Sequence, residues 1–469
     1  MLYKLPLDIE NALNETLNAT FDFEAEDSSI GIPAKRPDGT RYNVPILENT
    51  NVLTVGVTGT GKTKSFTIPA ARELLAANPK RKGVFFATKR DFLDEFCDTY
   101  DKVIAYSPLI APSNNIFRWS MVREITQAGD EAVKRYRRQG GIGSEENIRR
   151  MAEEGEMREI AAAMFSDLSA GASDNAIWVE AAKDTFIAAL RTVVNLYPHT
   201  SNKKFVEQLR NMSATALCEF LAREPKNNSI LNKNFNYDPK SNKPYTPTKK
   251  ALDILFFLSA VLQRFAGTFA SDGEDTIYDY LHGRYGKNLF LVHDLATAQS
   301  SRPFMIYFLK KIKDEKMSLT SDLDYPMLWC MDEADKLSDG CDKADCGLFQ
   351  AATLGREYQL QILLSTQSCE SLYNLAANEH TANAGLAGFP ILVAFHPGDP
   401  KTIEVLERVY GSERKTITTM PISRYDHPIT RTEVEPIVTE LDFASLKIGE
   451  AYVKIRQARP QKVSFVLKT

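Results

Sequence analysis

Thirteen residues near the amino end, Asn51 to Thr63 (NVLTVGVTGTGKT), carry the chemistry most open to interpretation. Gly56, Gly59, Gly61, Lys62 and Thr63 stand in the spacing G-x-x-x-x-G-K-T. An apolar run, Val52–Val57, precedes them and a helix-compatible segment, Lys64–Ala77, follows. A strand that delivers a glycine loop to a helix start presents free N–H groups and the positive end of the helix dipole to an anion. In this reading Gly56, Thr58, Gly59, Thr60, Gly61, Lys62, Thr63 and Lys64 form a phosphate cradle. Lys62 reaches the β/γ oxygens, and the Thr63 hydroxyl joins a Mg²⁺ shell. The expected cofactors are therefore ATP and Mg²⁺.

A phosphate loop says only nucleotide; hydrolysis also needs a metal-side carboxylate and a group to polarise water. Pro326-MLWCM-Asp332-Glu333 offers both at the end of an apolar run, Asp332 for the metal and Glu333 for the water. The next strand candidate, Ile362–Ser365, ends in Thr366-Gln367-Ser368. The Gln367 amide, donor and acceptor at once, suits sensing of a γ-phosphate, with helix capping as its plainer role. Arg356, in LGREYQLQ, is a candidate arginine finger on a neighbouring subunit's nucleotide; an ion pair with Glu357 or Asp335 is the alternative.

These residues need a scaffold, and 469 residues are too many for one compact core. Seven short apolar runs, at 52–57, 84–87, 103–106, 288–292, 327–331, 362–365 and 391–395, are continuous rather than alternating, as in a sheet covered on both faces. Helix-length segments at 64–77, 91–99, 302–317, 348–358 and 400–410 separate most of them. The expectation is an α/β fold with a mostly parallel central sheet. The rhythm breaks between about 121 and 270, where 149–165, 175–196, 204–222 and 249–265 show helical spacing. This predicts an all-α domain (121–270) inserted between a first nucleotide-binding part (1–120) and a second (271–469). Residues 224–250, rich in Asn, Pro and Lys, read as a long surface loop. Residues 450–455 and 462–467 read as a hairpin at the sheet edge.

Composition narrows the class. A net charge of −4 is not that of a generic nucleic-acid binder, so any positive charge that handles DNA must be local. Two local sets qualify: Lys134, Arg135, Tyr136, Arg137 and Arg138 with Arg149 and Arg150, and Lys233, Lys240, Lys243, Lys249 and Lys250 with Phe235, Tyr237 and Tyr245. Basic residues interleaved with aromatics suit single strands, although a solvated face is the commoner meaning of either set. No apolar run reaches the roughly 18 residues that span a bilayer, and the acidic first thirty residues do not make a secretory signal. The six scattered cysteines read as reduced thiols, which places the chain in the cytoplasm.

Taken in order, GVTGTGKT, Thr88-Lys89-Arg90-Asp91 after a strand, Asp174-Asn175-Ala176-Ile177-Trp178-Val179-Glu180-Ala181-Ala182 in the helical insertion, Asp332-Glu333, an Arg, and Thr366-Gln367-Ser368 resemble the type IV secretion coupling proteins. These are conjugative DNA-transfer ATPases (TraG/TraD-like) of the FtsK–HerA superfamily. The resemblance runs from about residue 43 to the carboxyl end. It implies a RecA-like P-loop fold and a homo-hexameric ring that passes single-stranded DNA or a relaxase nucleoprotein to secretion-channel proteins. The isolated chain is expected to be a monomer, because a half-built site between subunits adheres weakly without nucleotide or DNA. It also implies Arg356 as the finger in trans. Two departures stand out. Such proteins usually begin with membrane-spanning helices, so membrane contact here would run through partners or a missing anchor. Ala87-Thr88 replaces an acidic residue often found after the second strand.

Two competing functions are weighed against this reading. Asp332-Glu333-Ala334-Asp335 spells a superfamily-two helicase box, but 269 residues separate it from Thr63 and 134 follow Asp335, which leaves no second motor lobe. A protein-recruitment platform, in which nucleotide only sets the oligomer, is the other.

Overall fold

The structure is a computed structural model that describes residues 30–36, 38–169, 175–241, 245–265, 269, 271–319, 321–338, 345–376, 378–419 and 429–466. Contacts divide the chain into two compact units: residues 1–86, 325–338 and 348–469 form one, and residues 87–324 with 339–347 form the other.

The first unit is built on a sheet. Its strands are β1 (Gly31–Lys35), β2 (Arg41–Pro45), β3 (Val52–Val55), β4 (Lys82–Ala87), β7 (Met327–Asp332), β8 (Leu360–Thr366), β9 (Ile391–Ala394), β12 (Glu450–Ile455) and β13 (Gln461–Phe465), in the order β2-β1-β13-β12-β9-β3-β8-β7-β4. From β9 to β4 neighbouring strands run parallel; from β2 to β9 they pair antiparallel. Every residue of β3, β8 and β9 is buried, as continuous apolar runs require when both faces are covered. The mostly parallel α/β fold is therefore the observed one.

Two expectations are corrected here. The carboxyl-terminal hairpin is not at the edge: β13 pairs with β1, and β2 lies outside both. β1 and β2 are short and carry polar residues (Arg41, Asn43) among their apolar ones, so no continuous run marks them. A second antiparallel pair, β10 (Ser412–Thr419) with β11 (Ile429–Pro436), was also unforeseen, because its alternation is of threonine and charge.

The second unit is mainly helical, with two parallel strands, β5 (Lys102–Ala105) and β6 (Asn288–Val292). Between residues 121 and 265 the described residues hold helices and turns but no strand. The principal helices are α1 (Met121–Arg138), α2 (Glu145–Ser169), α3 (Ala176–Leu196), α4 (Lys249–Arg264) and, further on, α5 (Ala298–Lys316). The stretch 224–250 is only partly a loop. Residues 225–235 coil into helical turns because Leu231 and Phe235, four apart, are buried, and Asn227 and Asn234 reach buried carbonyls. Among the described residues no helix is long and apolar enough to cross a membrane, and Cys97, Cys218, Cys330 and Cys369 are free thiols; Cys341 lies outside the described residues.

Candidate nucleotide site

All the sequence-expected site residues fall in the first unit. Their arrangement follows from strand register. β3, β8 and β7 lie side by side, with Val55 opposite Thr366 and Ser365 opposite Asp332. The three chains thus leave the sheet together at their carboxyl ends, the edge where open parallel sheets gather ligands.

The glycines of the loop are demanded by its path. Gly56 has φ of 154°, and a Cβ there would lie 2.8 Å from Phe395 Cβ and 3.2 Å from the His396 carbonyl. Gly59 and Gly61 sit at φ of 84° and 95°, the left-handed region that disfavours other residues. Gly61 caps a wide turn, Lys62–Thr67, that continues as the helix Ile68–Ala77 with Pro69 in its first turn. The loop is pinned by the Gly56 N–H to Thr366 O (3.2 Å), Val57 N–H to His396 O (2.9 Å), Thr60 hydroxyl to Val57 O (2.8 Å) and Gly449 N–H to Thr60 O (3.0 Å).

Lys62 is 7 % exposed. Its ammonium donates to the loop's own carbonyls, Gly56 O and, at 2.9 Å, Val57 O. A cation held by loop carbonyls is in place for phosphate oxygens. The Thr63 hydroxyl donates to Asp332 Oδ2 at 2.9 Å, joining residues 269 positions apart. Burial pushes the Asp332 carboxyl above its ordinary range; the Ser365 and Thr63 hydroxyls oppose the shift, Glu333 adds to it and Lys62 opposes it. Asp332 Oδ1 and the adjacent Ser365 hydroxyl are buried and close to each other, without a well-formed hydrogen bond to any other described group. Among the described residues no group of three or more His, Cys, Asp or Glu forms a protein cage for a metal. One hydroxyl, one carboxylate with an under-bonded oxygen and an adjoining anion cradle fit Mg²⁺, which takes few protein ligands and shares phosphate oxygens.

Glu333 has φ of 53°, strained for a residue with a Cβ. Its N–H bonds Ser365 O at 3.0 Å, which turns the chain out of the sheet and leaves the side chain half-buried. Gln367 Nε2 donates to Glu333 Oε1 (3.0 Å), while Gln367 Oε1 accepts from the Thr58 hydroxyl (3.3 Å). A single amide therefore links the phosphate loop to the acidic strand tip.

Lys62, Thr63, Asp332, Glu333 and Gln367 are thus brought together, and Arg356 is not. Arg356 sits exposed on the turn Gly355–Tyr358 before β8, at the opposite end of that strand and roughly 20 Å from its tip. It forms no ion pair among the described residues and lines a cleft of 710 Å³ with Asn49, Thr353, Pro390 and Arg456. Ser365, beside Asp332, was not foreseen; only its place at the end of an apolar run hinted at it.

The basic sets lie in the second unit. Arg137 pairs with Glu145 (2.6 Å), Arg138 with Asp322 (2.8 Å), Arg149 with Asp130 (2.6 Å), Arg135 with Glu315 and Lys134 with Glu131. In the second set Lys233 pairs with Asp184, Phe235 is buried, and Tyr237 packs edge-on against Tyr245. Lys243 and Asp174 lie outside the described residues. Trp178 is half-buried near the start of α3, with Ala181 and Ala182 buried beneath it.

The type IV secretion-system coupling protein DNA-binding domain matches residues 147–463 of this sequence. The chain belongs to that family. Solved coupling-protein structures share its fold. The bacterial conjugative coupling protein TrwBΔN70, unbound monoclinic form, aligns with a TM-score of 0.65 at 18 % identity over 95 % of this chain and 90 % of that one. Plasmid coupling protein TrwB in complex with ADP and Mg²⁺ aligns at 0.62, with 19 % identity over 91 % and 88 %. VirB4 of Thermoanaerobacter pseudethanolicus aligns at 0.53 with 15 % identity over 95 % and 97 %. No curated protein matches the chain by sequence.

Proposed function

We propose that this coupling-family chain is a Mg²⁺-dependent P-loop ATPase, the ATP-driven motor of a conjugative type IV secretion system. It delivers single-stranded DNA or a relaxase nucleoprotein to channel proteins as a homo-hexameric ring at the cytoplasmic face of the membrane. Residues 121–270 are its inserted all-α domain. The observation that carries the reading is the Thr63–Asp332 hydrogen bond, which ties phosphate loop and acidic strand into one pocket.

Mg²⁺ with ATP supplies the charge neutralisation and the electrophilic phosphorus. The chain's residues do the rest. Loop N–H groups and Lys62 hold the phosphates; Lys62 exchanges loop carbonyls for phosphate oxygens without crossing solvent. Thr63 and Asp332 offer oxygens to the metal. Glu333, held by Gln367, orients water towards the terminal phosphate, and Gln367 transmits the state of the loop through Thr58. Arg356, a strand length from its own pocket, serves a neighbour's nucleotide.

Steady-state ATP hydrolysis tests the reading. Lys62→Ala abolishes turnover, and Glu333→Gln binds ATP without turning it over; normal hydrolysis by Glu333→Gln removes that residue from the role. Arg356→Ala and Lys62→Ala subunits, each inactive alone, regain activity when mixed, because an Arg356→Ala subunit's intact pocket then meets a neighbour's Arg356. A mixture that stays inactive places the finger elsewhere.

A further inference from the structure

The α2–α3 surface of the second unit carries a cationic cleft that includes Arg150 of the first basic set. Its volume is 430 Å³. Arg150, Glu154 and Arg158 follow one another at four-residue intervals along α2, so they share a face, and the outer two are about 12 Å apart along the axis. The charge between them is already spoken for. Arg191, from α3, grips Glu154 with Nε (3.0 Å) and a terminal nitrogen, and its other terminal nitrogen donates to Asn227 Oδ1 at 2.6 Å.

That anchor is rigid. Asn227 is fully buried, and its amide donates to Ala188 O (3.1 Å), Thr192 Oγ1 (2.9 Å) and Leu221 O (3.1 Å). The turn it fixes also presents Lys226 to the cleft. With Glu154 committed to Arg191, Arg150 retains a hydrogen bond to Asn147 (3.3 Å), and Arg158, 69 % exposed, stands 4.0 Å from Glu154. Glu153 faces Arg149 and Lys226, and Glu146 stands one helical turn from Arg150.

The cleft floor is a bare backbone. Gly155 is exposed in the middle of α2, where glycine weakens a helix relative to alanine, yet a Cβ there would meet nothing within 4 Å. Packing within this chain does not require it, and the bare backbone leaves the cleft open between Arg150 and Arg158.

We propose that this cleft holds the phosphodiester backbone of single-stranded DNA, with the planar guanidinium forks of Arg150 and Arg158 and the Lys226 ammonium on its phosphates. The forks suit carboxylate and phosphate alike; phosphate is favoured over an acidic peptide because the cleft lies within the residues matched by the DNA-binding domain. The inference rests on the DNA-coupling reading above and adds a path for the strand.

The test is the anisotropy of a labelled oligothymidylate titrated with the full chain at several KCl concentrations. Arg150→Ala/Arg158→Ala lowers affinity about tenfold or more, and flattens the log–log salt dependence by about 1.4, two contacts at about 0.7 each. Gly155→Glu reproduces the loss, and Gly155→Ala retains binding. ATP hydrolysis without DNA is unchanged in all three. Arg137→Ala/Arg138→Ala removes the same formal charge from paired positions and leaves the slope as in wild type. An equal loss in that control pair overturns the cleft in favour of bulk charge, and an unchanged slope in Arg150→Ala/Arg158→Ala overturns it outright. Polyglutamate that binds through Arg150 and Arg158 while oligothymidylate does not makes the occupant an acidic protein. A wild-type chain that binds no oligothymidylate removes the DNA reading itself.

Discussion

The two ends of β3, β8 and β7 use the same residue types to opposite effect. At the amino ends the amide side chains are saturated. Asn51 donates to Ala352 O (2.8 Å) and Gly388 O (3.0 Å) and accepts from Ile362 N–H (2.8 Å). Gln361 donates to Leu47 O (3.1 Å) and Thr50 O (2.7 Å) and accepts from Asn49 N–H (3.2 Å). At the carboxyl ends the polar groups are only partly satisfied: Asp332 Oδ1 and the Ser365 hydroxyl have no well-formed hydrogen bond beyond their contact with each other, and Glu333 is held in a left-handed backbone. Buried polar groups are costly unless bonded. One end therefore holds the strands in register, and the other keeps capacity for a ligand.

Substitutions sharpen that contrast. Lys62→Ala has the largest expected effect, loss of measurable ATP turnover, because Lys62 is the cation that the loop's own carbonyls hold in the cradle. Glu333→Gln follows, with turnover reduced by about 10²–10⁴ and nucleotide retained, read as steady-state rate against equilibrium binding. At the other end Asn51→Ala strips partners from two carbonyls and an N–H. It destabilises the fold by about 3 kcal/mol in urea unfolding while ATP affinity per folded molecule is unchanged. A drop in affinity of that variant without a change in stability would erase the distinction between the ends.

The smallest effect has the opposite sign. Burial raises the Asp332 carboxyl above its ordinary value of 3.8. The folded state therefore binds that proton more tightly than the unfolded state does. The ionised carboxylate costs stability, and the cost grows as pH rises from 3.8 through the folded value and then stays constant. Asp332→Asn removes that cost. The nucleotide-free protein then melts a few degrees higher at neutral pH, with no difference below pH 3.8. A lower melting temperature at neutral pH would mean that the ionised carboxylate is a structural partner rather than a reserved ligand.

How much of this was legible in the sequence depends on the range of the interaction. The glycine loop and the apolar runs of β3, β7 and β8 are local signals, and they located the strand tips and, apart from Ser365, the residues gathered there. Glu333's left-handed turn and the Thr58–Gln367–Glu333 linkage depend on register between strands hundreds of residues apart, which no local pattern encodes. β1, β2, β10 and β11 escaped because half-exposed pairing strands need no continuous apolar run. The charge neutralisation along α1 escaped for a related reason: Arg137 and Arg138 look free in sequence, and their carboxylate partners lie on other segments. Arg356 was legible as a residue but not as a place, since only the fold separates it from its own pocket.

The central claim is that Thr63 and Asp332 converge on one metal–triphosphate pocket. ATP affinity measured by calorimetry with and without Mg²⁺, for the wild-type chain and for Asp332→Ala, tests it most directly. The account predicts that Mg²⁺ tightens binding to the wild-type chain and not to the variant. A variant that keeps the full Mg²⁺ enhancement would contradict it.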